Sequence, residues 1–130
     1  MSHHRETVNA LGAPAAVGPY VHAVRAGGLL FCSGQIALDP ASGELAGDSP
    51  GEQAARCLEN LSIVCAAAGA TLADAVKVTV YLTDMGDFAK VNEAYAAAFE
   101  GHEPPARVAI AVSALPKGAQ VEMDAIVALR

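Results

Sequence analysis

An arginine and a glutamate stand inside two apolar, strand-like stretches near the C-terminus. Arg107 lies in Pro105-Ala106-Arg107-Val108-Ala109-Ile110-Ala111-Val112, and Glu122 lies in Val121-Glu122-Met123-Asp124-Ala125-Ile126-Val127. A charge among such neighbours costs several kcal/mol to desolvate unless something pairs with it. Arg107 and Glu122 therefore either form a structural ion pair or line a pocket that meets a charged ligand. A guanidinium binds carboxylates in a bidentate fashion, and the flanking Ala106 and Ala109 leave room for a small one. Glu122 could order water, handle protons, or only neutralise Arg107; Asp124 could also serve as the arginine's partner.

Three further positions have chemical potential. Gly18-Pro19-Tyr20 is a rigid turn presenting a phenol. Ser33-Gly34-Gln35 falls where a strand ends, and a glycine there permits close backbone approach. Asn92 falls beside Val91 and Tyr95, either on the inner side of a predicted helix, where an amide needs hydrogen-bond partners, or at a partly exposed helix position. The four histidines (His3, His4, His22 and His102) do not converge, and no spacing matches a metal site. A nucleophile elbow, a phosphate-binding glycine loop and a dinucleotide fingerprint are all missing, which argues against cofactor-dependent chemistry.

The elements that must position these residues follow from local signals. Thr7-Val8-Asn9 could add an edge strand. Val21–Ala26 and Leu29–Ser33 read as strands joined by a Gly27-Gly28 hairpin, and Asp39–Gly43 reads as a surface turn. Ser49, Pro50 and Glu52 supply a cap, a first-turn proline and a capping box for a helix. Its predicted apolar stripe is Ala54, Leu58, Leu61, Cys65 and Ala68, with Gln53, Arg56, Glu59 and Asn60 facing away and Gly69 ending it. Val76, Val78, Val80 and Leu82 alternate as a strand. A second helix is expected from about Asp87 to Glu100, burying Phe88, Val91, Tyr95 and Phe99 and stopped by Gly101. The order strands, helix, strand, helix, strands predicts one α+β domain over residues 1–130, with two helices packed on one face of a sheet. The other face is expected to carry Arg107, Ala109 and Ala111 together with Glu122, Asp124, Ile126 and Ala128. Small residues and charges on one face suit a subunit interface or a ligand site.

Composition bounds the rest. The chain has 130 residues, 53% of them apolar, enough for one core, but alanine-rich with 5% aromatic content, so burial between subunits would help it. A net charge of −6, with 8 basic residues of which no two are adjacent, argues against a broad nucleic-acid footprint. No stretch reaches the ~18–20 apolar residues that span a bilayer. The first residues lack the basic-then-apolar order of a signal peptide, so a cytoplasmic location is the default expectation. The odd number of cysteines agrees with it, and Cys57 and Cys65 are read as small core residues.

In order along the chain stand Ala13–Tyr20, Ser33-Gly34-Gln35-Ile36, Asp39-Pro40 with Gly43-Glu44-Leu45, Val91-Asn92-Glu93-Ala94-Tyr95, Pro105-Ala106-Arg107 and Val121-Glu122-Met123. Each is weak alone; six in order closely resemble the RidA (YjgF) family of reactive-intermediate deaminases, from about residue 6 to the C-terminus. The resemblance implies a chorismate-mutase-like α+β fold and a homotrimer with three sites in the clefts between subunits. It implies cofactor-free hydrolysis of 2-imino acids and their enamine tautomers, such as 2-iminopropanoate and 2-iminobutanoate, to 2-oxo acids and ammonia. Carried over, Arg107 would clamp the substrate carboxylate, assisted by backbone near Gly34 and Ala109. Tyr20, Ser33 and Asn92 would line the pocket and order water, and Glu122 would position water or relay protons. Two positions depart from the family's pattern: Ala109 stands where Cys is frequent, and His22 where Gln is frequent. Rival readings are an endoribonuclease or translation inhibitor, and a non-enzymatic metabolite-binding or chaperone-like trimer.

Overall fold

The structure, a computed structural model, describes residues 4–130. His3 lies outside them. Six strands form one sheet: β1 (Glu6–Val8), β2 (Ala23–Ala26), β3 (Leu29–Ile36), β4 (Ala75–Leu82), β5 (Ala106–Ala111) and β6 (Val121–Ala128), in the order β1-β2-β3-β6-β4-β5. Only β4 and β5 run parallel. A parallel pair needs a crossover, and helix α2 (Phe88–Ala98) supplies it. Helix α1 (Pro50–Ala67) lies beside α2 and crosses β3 and β6.

Local chemistry explains most boundaries. Gly27 and Gly28 take φ of 59° and 78°, the two positive values that a tight hairpin turn between β2 and β3 requires. Ser49 accepts from the Glu52 backbone N–H at 3.2 Å, with Pro50 in the first turn. The reciprocal half of the capping box differs: the Ser49 hydroxyl donates to the Glu52 carboxylate at 3.0 Å. Gly69, at φ 76°, follows α1 as a left-handed cap, and Ala70 N–H reaches back to Cys65 O at 2.9 Å.

The core lies between the sheet and the helices, built on Leu30, Leu61, Val80, Leu82, Met123 and Val127. The expected stripes of both helices point into it, with Phe88 only half-buried. Two expectations on α1 are overturned, since Gln53 and Asn60 do not face away but are buried. Helix α1 is covered on a second side by the end of β3 and the loop after it, and both amides serve backbone groups there, Gln53 also one just ahead of β6. Gln53 donates to Gly47 O and accepts from Gln120 N–H at 2.9 Å. Asn60, at 0% exposure, donates to Ile36 O at 3.2 Å and Leu38 O at 3.0 Å. Asn60→Leu should therefore lower unfolding free energy by about 1–3 kcal/mol, because buried carbonyls lose their donor. A denaturant titration as stable as the parent's would show that those carbonyls find other partners.

Val76 also departs from its expected inward set and is 48% exposed. Ala75 pairs with Val127 and Lys77 with Ile126, so Val76 is an extra residue that bulges out of register.

Candidate functional site

The register separates the two charges. Arg107 pairs with Val78, and Ala109 and Ala111 with Val80 and Leu82, all on the face that the helices cover. Glu122 pairs with Tyr81 and Asp124 with Thr79, on the opposite, uncovered face. The expectation that Arg107, Ala109 and Ala111 share a face with Glu122 and Asp124 is thus wrong. The sheet backbone lies between them, so Arg107 and Glu122 cannot pair within one protomer. Among the described residues the ion pairs are Arg56–Glu59 and Arg130–Asp74.

Arg107 is held from helix α2. Its Nη1 donates to Asn92 Oδ1 at 2.7 Å. The guanidinium carbon lies 4.8 Å from the Tyr95 ring centre and 5.3 Å from that of Phe88, within cation–π range. Phe88, Asn92 and Tyr95 are one helical turn apart, so a single face of α2 presents all three. The guanidinium forms one wall of an open cleft of about 620 Å³, lined also by Asn92, Tyr95, Phe99, His102 and Pro105. Ala109 is half-buried behind Arg107 on the same side of β5 and does not line this cleft.

The surroundings of Glu122 are built at a bulge. Cys32 pairs with Ala125 and Gln35 with Met123, so Ser33 and Gly34 together face the single residue Asp124. A bulge re-aims side chains and bends its strand. Here it lays the Gly34 backbone beneath the Glu122 carboxylate. A Cβ on Gly34 would fall 3.0 Å from Glu122 Cδ and closer still to Oε2, so glycine is needed for space. Ser33 donates its hydroxyl to Val21 O at 2.6 Å and its N–H to His22 O at 2.9 Å, tying the bulge to the segment that carries Tyr20. Tyr20, Ser33, Gly34, Pro116 and Glu122 line a depression of about 320 Å³. An adjoining one of about 190 Å³ adds Pro14, Val17 and Lys117.

Burial, and secondarily the negative charge of Asp124, push the Glu122 carboxyl above the usual carboxylate range. Asp124 accepts the Tyr81 hydroxyl at 2.8 Å, which raises that phenol. Burial pushes the Cys57 thiol up. Cys32 faces the core from the strand that carries Ser33, and its thiol hydrogen-bonds with Cys65, which, with burial, raises it too. Neither behaves as a nucleophile. Among the described residues no three His, Cys, Asp or Glu side chains gather where they could hold a metal ion, and no helix is long and apolar enough to cross a membrane.

The sequence-predicted residues thus fall into two groups on opposite faces of the sheet, Arg107 with Asn92 on one and Glu122, Gly34, Ser33 and Tyr20 on the other. Residues 10–129 match the family model described as Endoribonuclease L-PSP. The 2-iminobutanoate/2-iminopropanoate deaminase of Mus musculus is 45% identical over 122 residues, 94% of this chain and 90% of the mouse protein. The crystal structure of RidA from the Antarctic bacterium Psychrobacter sp. superposes with a TM-score of 0.90 at 43% identity, covering 95% of this chain and 99% of that one. The chain belongs to the RidA (YjgF) family. A RutC family protein of Sinorhizobium fredii is similar as well, 48% identical over 95% of this chain and 98% of its own length.

Three features of this RidA-family chain were not read from its sequence: the Phe88–Tyr95 cradle of Arg107, the Pro116–Lys117 wall beside Glu122, and the Tyr81–Asp124 bond. The first had a signal. Phe88, Asn92 and Tyr95 recur at helical spacing and would face whatever strand lies alongside, but that strand's register was needed to put Arg107 there.

Proposed function

We propose that this chain works as a homotrimeric, cofactor-free deaminase that hydrolyses small 2-imino acids such as 2-iminopropanoate and 2-iminobutanoate to 2-oxo acids and ammonia. The observation that carries this reading is the division of the charged residues: a pre-aimed Arg107 and a half-buried Glu122 stand on opposite faces of one sheet. They can serve one ligand only if they come from different copies. The uncovered sheet face supports assembly, because Phe31, Val108 and Ile110 are 42%, 39% and 41% exposed there. An apolar sheet face left in water is costly, and a second copy would cover it.

In such a cleft Arg107 clamps the substrate carboxylate while Asn92 holds the guanidinium. The iminium carbon is already electrophilic, so orientation and proton handling suffice. Glu122 takes a proton from water as the oxygen bonds to that carbon, and Tyr20 and Ser33 hold the water. The proton then passes to the nitrogen, and as the C–N bond breaks the freed carboxylate takes the proton of the new hydroxyl, so that ammonia leaves and a 2-oxo acid remains. A carboxyl raised toward neutrality suits both the uptake and the return of that proton.

The deciding experiment generates the imine in situ from an amino acid with an oxidase or dehydratase and follows 2-oxo acid release. Turnover above the spontaneous hydrolysis rate supports the reading; a rate equal to water's at every protein concentration sinks it. RNA cleavage is the second reading, favoured by the description of the matching family model. It calls for salt-dependent cleavage by the same homogeneous protein, lost in Arg107→Ala.

Gly34→Ala tests the bulge. The added methyl displaces the Glu122 carboxylate, so kcat/KM should fall by about tenfold while the melting temperature barely moves. Unchanged kinetics would mean that the carboxylate is not used where it lies.

A further inference from the structure

We propose that His22 is a positioning residue: it latches the strap Ala10–Tyr20 onto the sheet and so shapes the Glu122-side half of the site. The ring is 5% exposed, just ahead of β2. Its Nδ1 accepts the Ala10 backbone N–H at 2.8 Å, and its Nε2 lies 2.8 Å from Pro14 O. These partners settle the tautomer. A backbone N–H can only donate, so Nδ1 carries the lone pair; a carbonyl can only accept, so the proton is on Nε2. One neutral ring thus closes both ends of a five-residue loop.

The latch sits between two parts of the site. Immediately after Pro14 the chain supplies Ala15, Val17 and Tyr20, which with Pro14 wall the depression opposite Gly34 and Glu122. The main chain of the same histidine accepts the Ser33 N–H from the bulge. The side chain therefore holds the strap while the backbone holds the bulge, and the distance between Tyr20 and Gly34 depends on both. Ala10, Ala13 and Pro14 are buried, Ala16 is half-buried, and Leu11 and Val17 are fully or largely exposed, so the strap's apolar anchorage is confined to small side chains at the end the histidine holds. The two hydrogen bonds add direction to that packing, fixing Ala10 and Pro14 to one ring.

The role of shaping a substrate pocket rests on the deaminase reading above, so the test includes a readout independent of it. His22→Leu keeps bulk and removes both bonds. His22→Gln carries an acceptor and a donor about as far apart as the two ring nitrogens. His22→Asn reaches only the nearer partner. Amide exchange by NMR should show Ala10 protected in the parent and in His22→Gln, partly protected in His22→Asn and open in His22→Leu. With imine generated in situ, KM should rise about five- to tenfold in His22→Leu, with kcat within about twofold and the Gln variant close to the parent. If His22→Leu does not fold, the Gln and Asn variants decide by the same order of effects. Equal exchange at Ala10 in all variants overturns the latch whatever the substrate is. A Gln variant as impaired in KM as the Leu or Asn variant overturns it as well. A parent inert toward imines defeats the deaminase reading and leaves the exchange result to judge the latch.

Discussion

Arg107→Ala should slow imine hydrolysis by about ten- to hundred-fold in kcat/KM, the worth of ~1.5–3 kcal/mol for a charge-assisted hydrogen bond to the substrate carboxylate. The loss should fall mainly on substrates that have a carboxylate beside the imine. Stability should change little, because Arg107 is exposed in the protomer, forms no ion pair among the described residues, and gives only its Asn92 bond and ring contacts to the fold. Arg107→Lys should recover only part of the rate, since an ammonium neither stacks flat between Phe88 and Tyr95 nor binds in a bidentate way. Steady-state kinetics with a coupled 2-oxo acid assay measure this. A wild-type rate in Arg107→Ala would remove the carboxylate clamp from the mechanism.

Glu122→Gln should cost about a hundredfold or more in kcat, the usual scale of a general acid–base group. It also carries a pH signature. Burial and Asp124 hold the folded carboxyl above its ordinary value. As a base, Glu122 is active above that pKa, so the parent's rate should fall as pH drops through it, at a higher pH than an ordinary carboxylate would give. The limb should vanish in Glu122→Gln. Stability should move the other way. A raised folded pKa means that the native state binds the proton more tightly, so its contribution is full below the unfolded pKa and lost as pH rises through the folded one. At neutral pH the Gln variant should therefore be the more stable of the two, and the less active. A Gln variant both slower and less stable would point to a structural role for the carboxylate.

The two variants together test the shared cleft. If each site takes Arg107 from one subunit and Glu122 from the next, every mixed trimer of the two inactive chains has one intact site. Refolding them together at equal amounts should restore roughly a quarter of parental activity, whereas sites within one subunit would stay inactive.

Much of this was legible along the chain. The Gly27-Gly28 hairpin, the Ser49–Pro50 helix start and the Gly69 and Gly101 stops rest on local backbone chemistry, which needs no tertiary context. The inward set of β6 was equally clear, because Val121, Met123, Ala125 and Val127 alternate with Glu122 and Asp124. The buried Gln53 and Asn60 were misread because their polarity signals solvent, while their partners are carbonyls and an N–H of distant loops.

The sequence by itself determined the elements, the family motifs and the identity of the two charged residues. Only the tertiary structure decided that Arg107 and Glu122 stand on opposite faces. On β5, Arg107 apart, both alternating sets are small or apolar, Ala106, Val108 and Ile110 against Ala109 and Ala111, so the pattern does not say which set faces the helices. A one-residue slip exchanges the faces of a strand. Pairing with β4 chose the register, and that choice put Arg107 against α2, on the face away from Glu122.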